Sequence, residues 1–296
     1  MNDLLKNAID KSIEGLFGNN DAVLSCGSLK DLPSRENVVE VIKLVKSVIL
    51  PRFFSDGAIE GESEARVALE KIYFTLSKEI KLAFGYDCEI CREKKNEGDI
   101  AKISDEITRR FIESLPSVFS TLATDIKATL AGDPAAMSYD MILLTYPGIE
   151  AIFVYRLAHI LYEKNVPLIP RMMSEYAHSK TGIDINPGAK IGGSFVIDHG
   201  TGIVIGETTV IGEHVSIYQG VTLGAISLKD ARSLVGEKRH PTICDNVTIY
   251  AGATILGGDT VIGEGAVIGS SAFITESVES SVTVAAEKQK LRIIKK

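Results

Sequence analysis

Two rhythms of apolar residues divide the chain. Between Val38 and Ile49 the aliphatic positions are Val38, Val41, Ile42, Val45, Val48 and Ile49, the spacing that lines one face of a helix, and Pro51 ends the run. Ser104 is placed to cap a helix through Leu115, Pro116 to permit a second one starting near Ser117, and Gly132 to end that helix before Asp133-Pro134. Ile149, Ile152, Phe153, Leu157, Ile160 and Leu161 predict another amphipathic helix, and RMMSEYAHSK one more. After Gly182 a period of six replaces that of 3.6. Aliphatic residues fall at Ile185, Ile191 and Ile197, then at Ile205, Ile211, Ile217 and Leu223, then at Ile243, Ile249 and Ile255. After a one-residue slip at Gly257-Gly258 they resume at Ile262, Ile268 and Ile274. Such hexads predict a parallel β-helix in which three hexads close one triangular coil of about 18 residues. The aliphatic side chain points into a narrow prism, a small residue such as Ala253 or Ala266 fills the remaining interior, and glycines serve the corners. The expected organisation is a helical N-terminal domain over residues 1–181, a β-helix over 182–285 and a tail over 286–296.

Departures from the beat carry the chemistry. Ile197 to Ile205 spans eight residues instead of six, and the surplus lies around Asp198, His199, Gly200, Thr201 and Gly202. Leu223 to Ile243 leaves the prism altogether and returns through Lys238, Arg239 and His240. A stacked coil is rigid, so polar side chains expelled at these points are held in place for a site. An imidazole such as His199 can take a proton from a hydroxyl near neutral pH, and a carboxylate beside it would fix its tautomer and stabilise the imidazolium. Asp184 on the preceding stretch is the candidate partner. His159 and His178 lie on helical patterns, and His214 falls at a hexad corner.

Charge and cysteine content narrow the field. Lys and Arg number 32 against 39 Asp and Glu, a formal charge of −7, which offers no general attraction to nucleic acid. No uncharged run reaches membrane-spanning length, and a cytoplasmic protein is expected. Four cysteines in 296 residues make no disulfide framework. The Cys88/Cys91 pair has no second pair at metal-ligand spacing, Cys26 and Cys244 stand apart, and no metal is expected.

DPAA at 133–136, YRLAH at 155–159, GIDINPGAKIGGSFVIDHGTGIVIGET at 182–208, SIYQGVTLG at 216–224 and RHPTI at 239–243 resemble serine O-acetyltransferases. That resemblance implies a left-handed β-helix behind a helical domain, and acetyl transfer from acetyl-coenzyme A to the hydroxyl of L-serine in cysteine biosynthesis. It further implies His199 as general base, with Asp184 as its carboxylate partner. Arg239 and His240 would bind the serine carboxylate side, Asp133 and Asp198 its amino group, and coenzyme A would run beside Gly224 and Ala251. L-cysteine as feedback inhibitor, trimers or dimers of trimers, and active sites between chains belong to the same implication. Many members of that family dock a terminal isoleucine into O-acetylserine sulfhydrylase, but this sequence ends in Lys295-Lys296, so the resemblance does not carry that partnership over. The loop before Arg239 is longer than in the bacterial enzymes, and SVTVAAEKQKLRIIKK lacks their Gly-x-Pro turn. Three other readings stay open: an acyltransferase acting on a sugar hydroxyl, a zinc enzyme using His199, His214 and His240, and a noncatalytic scaffold.

Overall fold

The computed structural model describes residues 3–17, 32–86, 97–226 and 237–286. Cys26, Cys88, Cys91, most of the loop before Arg239 and the tail beyond 286 lie outside them. Eight helices come first in these segments: α1 (Asp3–Phe17), α2 (Arg35–Ile49), α3 (Pro51–Phe54), α4 (Glu62–Gly85), α5 (Glu97–Gly132), α6 (Tyr139–Thr145), α7 (Pro147–Glu163) and α8 (Ile169–Thr181). α2 buries Val38, Val41, Ile42 and Val45, the face its spacing predicted, and the Ser34 hydroxyl caps it by accepting from the Asn37 N–H at 3.3 Å.

The expected break at Pro116 does not occur. α5 runs through it as one helix of 36 residues, and Ser104 caps nothing; its hydroxyl donates to the Ile100 carbonyl at 2.7 Å inside the helix. Proline in a helix interior costs on the order of 3 kcal/mol. Packing offsets this cost, because the buried face of Ile107, Phe111, Leu115, Val118, Leu122 and Ile126 keeps its helical spacing straight across Pro116. Local sequence showed the breaker, while the continuous face decided the outcome.

From Asp184 on, short parallel strands form the three faces of a prism. One face stacks β1 (Asp184–Ile185), β4 (Val204–Ile205), β7 (Thr222–Gly224), β10 (Thr254–Leu256) and β13 (Phe273–Ile274). The second stacks β2 (Lys190–Ile191), β5 (Val210–Ile211), β8 (Thr242–Ile243) and β11 (Val261–Ile262). The third stacks β3 (Val196–Asp198), β6 (Ser216–Tyr218), β9 (Thr248–Ile249), β12 (Val267–Ile268) and β14 (Thr283–Val284). The hexad aliphatics stack in register, as in Ile197, Ile217 and Ile249, and each is worth about 1.5–3 kcal/mol of burial. The fold is thus a helical region followed by a left-handed parallel β-helix of about 5 turns. Ladder offsets reproduce the irregular beat. Val204 pairs with Thr222, 18 residues on, but Asp184 pairs with Val204, 20 on, because the first coil contains the His199 bulge. Thr222 pairs with Thr254 across the long loop, and Thr254 with Phe273 across the Gly257-Gly258 slip.

The helical region is fastened to the first coil by YRLAH. Arg156 and Asp125 form a buried bidentate pair at 2.8 and 2.9 Å; Asp125 also accepts the Phe195 N–H, and Arg156 donates to the Gly192 carbonyl. Burial pushes the Asp125 carboxyl up, and the Arg156 charge pulls it back. The Tyr155 hydroxyl donates to the Ala189 carbonyl at 2.6 Å, and His159 Nδ1 donates to that of Pro187 at 2.7 Å. His159 therefore ties the two regions together.

Candidate active site

The N-terminus of α7 brings helical and prism residues together. Pro147 occupies its first turn, and the next residue, Gly148, lies so close to β3 that a β-carbon there would sit 2.5 Å from the Ile197 carbonyl oxygen. Only glycine permits that approach. It carries Tyr146 to the end of β3, where Asp198 and His199 emerge. The Tyr146 hydroxyl donates to Asp133 Oδ2 at 2.5 Å, and the Ala135 N–H donates to Asp133 Oδ1 at 2.8 Å in the turn after α5. These two bonds, the tyrosine's first, hold the Asp133 carboxyl below its usual range, and the nearby His199 adds to the effect. Tyr146 is correspondingly pushed up to about 12 by its bond to Asp133, with the Asp133 and Asp198 charges contributing.

His199 is exposed, with φ at 57°, and Gly200 and Gly202 follow at 85° and 83°. The two surplus residues are thus absorbed in a left-handed run, a conformation that disfavours most side chains and recurs at functional sites. Tyr218 lies beside Asp198 in the ladder and stacks on Tyr250 at 5.2 Å between ring centroids. Its phenol is raised by burial and then by the Asp198 charge. Asp133, Tyr146, Asp198, His199 and Tyr218 thus form one cluster of two carboxylates, an imidazole and two phenols.

Asp184 does not complete it. Its Oδ1 accepts from Arg171 Nη1 at 3.4 Å, and among the described residues no hydrogen bond joins it to His199. Its backbone N–H bonds the Ile203 carbonyl at 2.9 Å, so it is tied to the coil just after the bulge.

A second cluster gathers at the neighbouring corner, where the long loop returns. Arg239 Nη2 pairs with Glu207 Oε2, and the Tyr162 hydroxyl of α7 donates to Glu207 Oε1 at 2.8 Å. The Thr208 hydroxyl accepts the N–H groups of Arg239 and His240 at 2.9 and 3.1 Å, and the Thr208 N–H donates to His240 Nδ1 at 3.1 Å. The His240 ring lies flat against Gly206, where any β-carbon would fall inside it. Burial, assisted by the Arg239 charge, drops its pKa to about 4, so it is neutral at neutral pH with the proton on Nε2. Lys238 donates to the Thr208 and Pro241 carbonyls at 2.8 and 3.1 Å, and its own carbonyl rests on Gly258. A cavity of about 320 Å³ opens here among Tyr162, Lys190, Glu207, Thr208 and Lys238.

The two clusters share no hydrogen bond or ion pair among the described residues. Gly224 ends β7 opposite Leu256, and Ala251 precedes a corner glycine, its carbonyl accepting from Ser271. His214 occupies a corner at φ 57°. No three His, Cys, Asp or Glu side chains among the described residues are arranged to hold a metal ion, and Cys244 carries a free thiol. No single described helix is long and apolar enough to cross a membrane.

This chain is 44% identical over 234 residues to the "Serine acetyltransferase, plasmid" of Synechococcus elongatus, which covers 75% of this chain and 72% of that protein. The chain belongs to the serine acetyltransferase family. A second serine acetyltransferase of that organism matches at 44% over 135 residues, spanning 46% of this chain and about half (53%) of that relative. Among solved structures, serine acetyltransferase isoform 3 of Entamoeba histolytica in complex with cysteine aligns with a TM-score of 0.75 at 32% identity, over 100% of this chain and 96% of that one. No family model matches. As a member of this family the chain is an acyltransferase. Sequence reasoning missed Tyr146, Tyr162, Glu207, Thr208 and Tyr218. The step from Ile205 to Ile211 keeps the hexad spacing, so Glu207 and Thr208 read as ordinary polar corner residues.

Proposed function

We propose that the chain transfers acetyl from acetyl-coenzyme A to the L-serine hydroxyl, giving O-acetylserine, by direct attack with His199 as general base. The observation that carries this reading is the convergence of Asp133, Asp198 and His199 where the beat breaks. Two carboxylates, one of them held ionised, suit an ammonium group, and an exposed imidazole beside them can reach a hydroxyl on the same small molecule. His199 takes the hydroxyl proton as the serine oxygen bonds to the thioester carbon. The oxyanion meets backbone donors near Gly224, and collapse expels the thiolate, which recovers the proton from His199. Coenzyme A runs beside Gly224 and Ala251, and Asp184 steadies the imidazolium once Arg171 yields it.

Arg239 and His240 take the serine carboxylate, a task for which a planar guanidinium and a neutral Nε2–H are suited. One chain holds them a prism edge away from His199, and a hexad spans up to about 20 Å. Serine is far shorter. The site therefore combines the His199 corner of one chain with the Arg239 corner of its neighbour, in a trimer or a dimer of trimers. L-cysteine, with a thiol for the hydroxyl, satisfies the same groups and acts as inhibitor, in line with the cysteine-bound amoebic relative. Residues 1–181 form the helical domain and 182–285 the acyltransferase domain, in a cytoplasmic enzyme that needs no metal.

A sugar acceptor would give neither Arg239 nor the paired carboxylates a charged group to bind. Free thiol released from acetyl-coenzyme A should appear with L-serine, be absent with sugars and be indifferent to a chelator. Thiol release with a sugar but not with L-serine would refute the reading.

A further inference from the structure

We propose that Tyr162, a residue of the helical region, positions Arg239 for the substrate carboxylate by way of Glu207. This rests on the reading above that Arg239 holds that carboxylate. Each oxygen of Glu207 is engaged by a different donor, Oε1 by the Tyr162 hydroxyl at 2.8 Å and Oε2 by Arg239 Nη2. Two donors on opposite oxygens fix the rotation of the carboxylate, and so the direction in which it holds the guanidinium. Gly188 sets the spacing, since a β-carbon there would lie 2.7 Å from Tyr162 Cζ and 2.8 Å from Glu207 Cγ, so both side chains rest on its backbone. Thr208 meanwhile anchors the Arg239 main chain by accepting its N–H at 2.9 Å. The arginine is therefore held at both ends before substrate arrives, and ordering a long side chain is no longer a cost of binding.

An acidic residue beside a carboxylate-binding arginine would otherwise be a liability, because its charge repels the ligand. The Tyr162 hydrogen bond and the Arg239 pair both draw on that charge. Tyr162 is a dependable donor: burial and then the Glu207 bond push its phenol up to about 12, so it keeps its proton throughout the working range. Tyr162 touches no substrate in this scheme and is a positioning residue. It also makes the docking of α7 on the first coil part of substrate recognition at this corner, as Tyr146 does at the other.

The test compares L-serine with L-serinamide, which keeps the ammonium and hydroxyl groups but lacks the carboxylate charge. In Tyr162→Phe, KM for L-serine should rise about three- to tenfold, the range of one hydrogen bond, while kcat and KM for L-serinamide stay level. Glu207→Gln should shift the same parameter in the same direction by more. Thermal unfolding should leave Tyr162→Phe close to the unsubstituted protein, since the ring stays on Gly188. An unchanged KM for L-serine in Tyr162→Phe, or an equal rise for both acceptors, would overturn the positioning role. A lower KM for L-serine in Glu207→Gln would also overturn it, showing that Glu207 competes with substrate for the guanidinium. Arg239→Ala separates the two levels. If it fails to narrow the preference for L-serine over L-serinamide, the carboxylate reading falls and the positioning role with it; if it narrows that preference while Tyr162→Phe does nothing, only the positioning role falls.

Discussion

His199 stands exposed on a left-handed loop residue, with a phenol-bound carboxylate nearby. His240, at the next corner of the same prism, is almost wholly buried, its ring pressed on Gly206 and its Nδ1 bonded to Thr208. The contrast fits the two roles proposed for them. A base must take a proton from one group and return it to another, which needs room and ready hydration. A binding group gains most from being fixed in one tautomer and one place before the ligand comes. The prism supplies both, an inserted pair of residues at one corner and a glycine bed at the other.

Among changes that leave the His199 imidazole in place, disturbing the fixed corner should cost the most. In Gly206→Ala the new methyl displaces the His240 ring, and kcat/KM for L-serine should fall about 10², as for a displacement of about 1 Å in a site. Steady-state kinetics with thermal unfolding as control decides this; full activity would show that His240 does not need its bed. At the open corner Tyr146→Phe removes one bond to an ionised Asp133, and kcat/KM should fall about tenfold, mostly through KM, with kcat little changed. A drop confined to kcat would instead put Tyr146 in the chemistry. The smallest effect is on stability. His240 titrates at about 4 in the folded protein against 6.5 unperturbed, so between those values the unfolded chain binds more protons. Its stabilising contribution is complete above pH 6.5 and is lost as pH falls toward 4. His240→Gln should therefore lose less Tm than the unsubstituted protein when both are taken from neutral pH to about 4.5; equal losses would contradict the depressed titration.

The prism was legible because its rule is local: every sixth residue points inward, so each insertion in the sequence reappears as a ladder offset, as with Asp184 opposite Val204. His199, Asp198 and Arg239 were legible for the same reason, being residues expelled where the rule fails. Pro116 was misleading because a long buried face outweighed a single breaker. Tyr146 and Tyr162 carried no signal, since at the ends of an apolar helix a tyrosine reads as ordinary packing, and only the docking of α7 on the first coil gives their hydroxyls partners. Asp184 stands between these cases: the sequence offers it as the partner of His199, and in the folded chain its carboxylate accepts from Arg171, so the proposed partnership needs that contact to open.

Turnover of His199→Ala at saturating L-serine and acetyl-coenzyme A tests the assigned base most directly. A kcat lower by at least about 10², with KM for L-serine nearly unchanged, is the expected result. A kcat within about threefold of the unsubstituted protein would contradict it, because a positioned base is worth more than that.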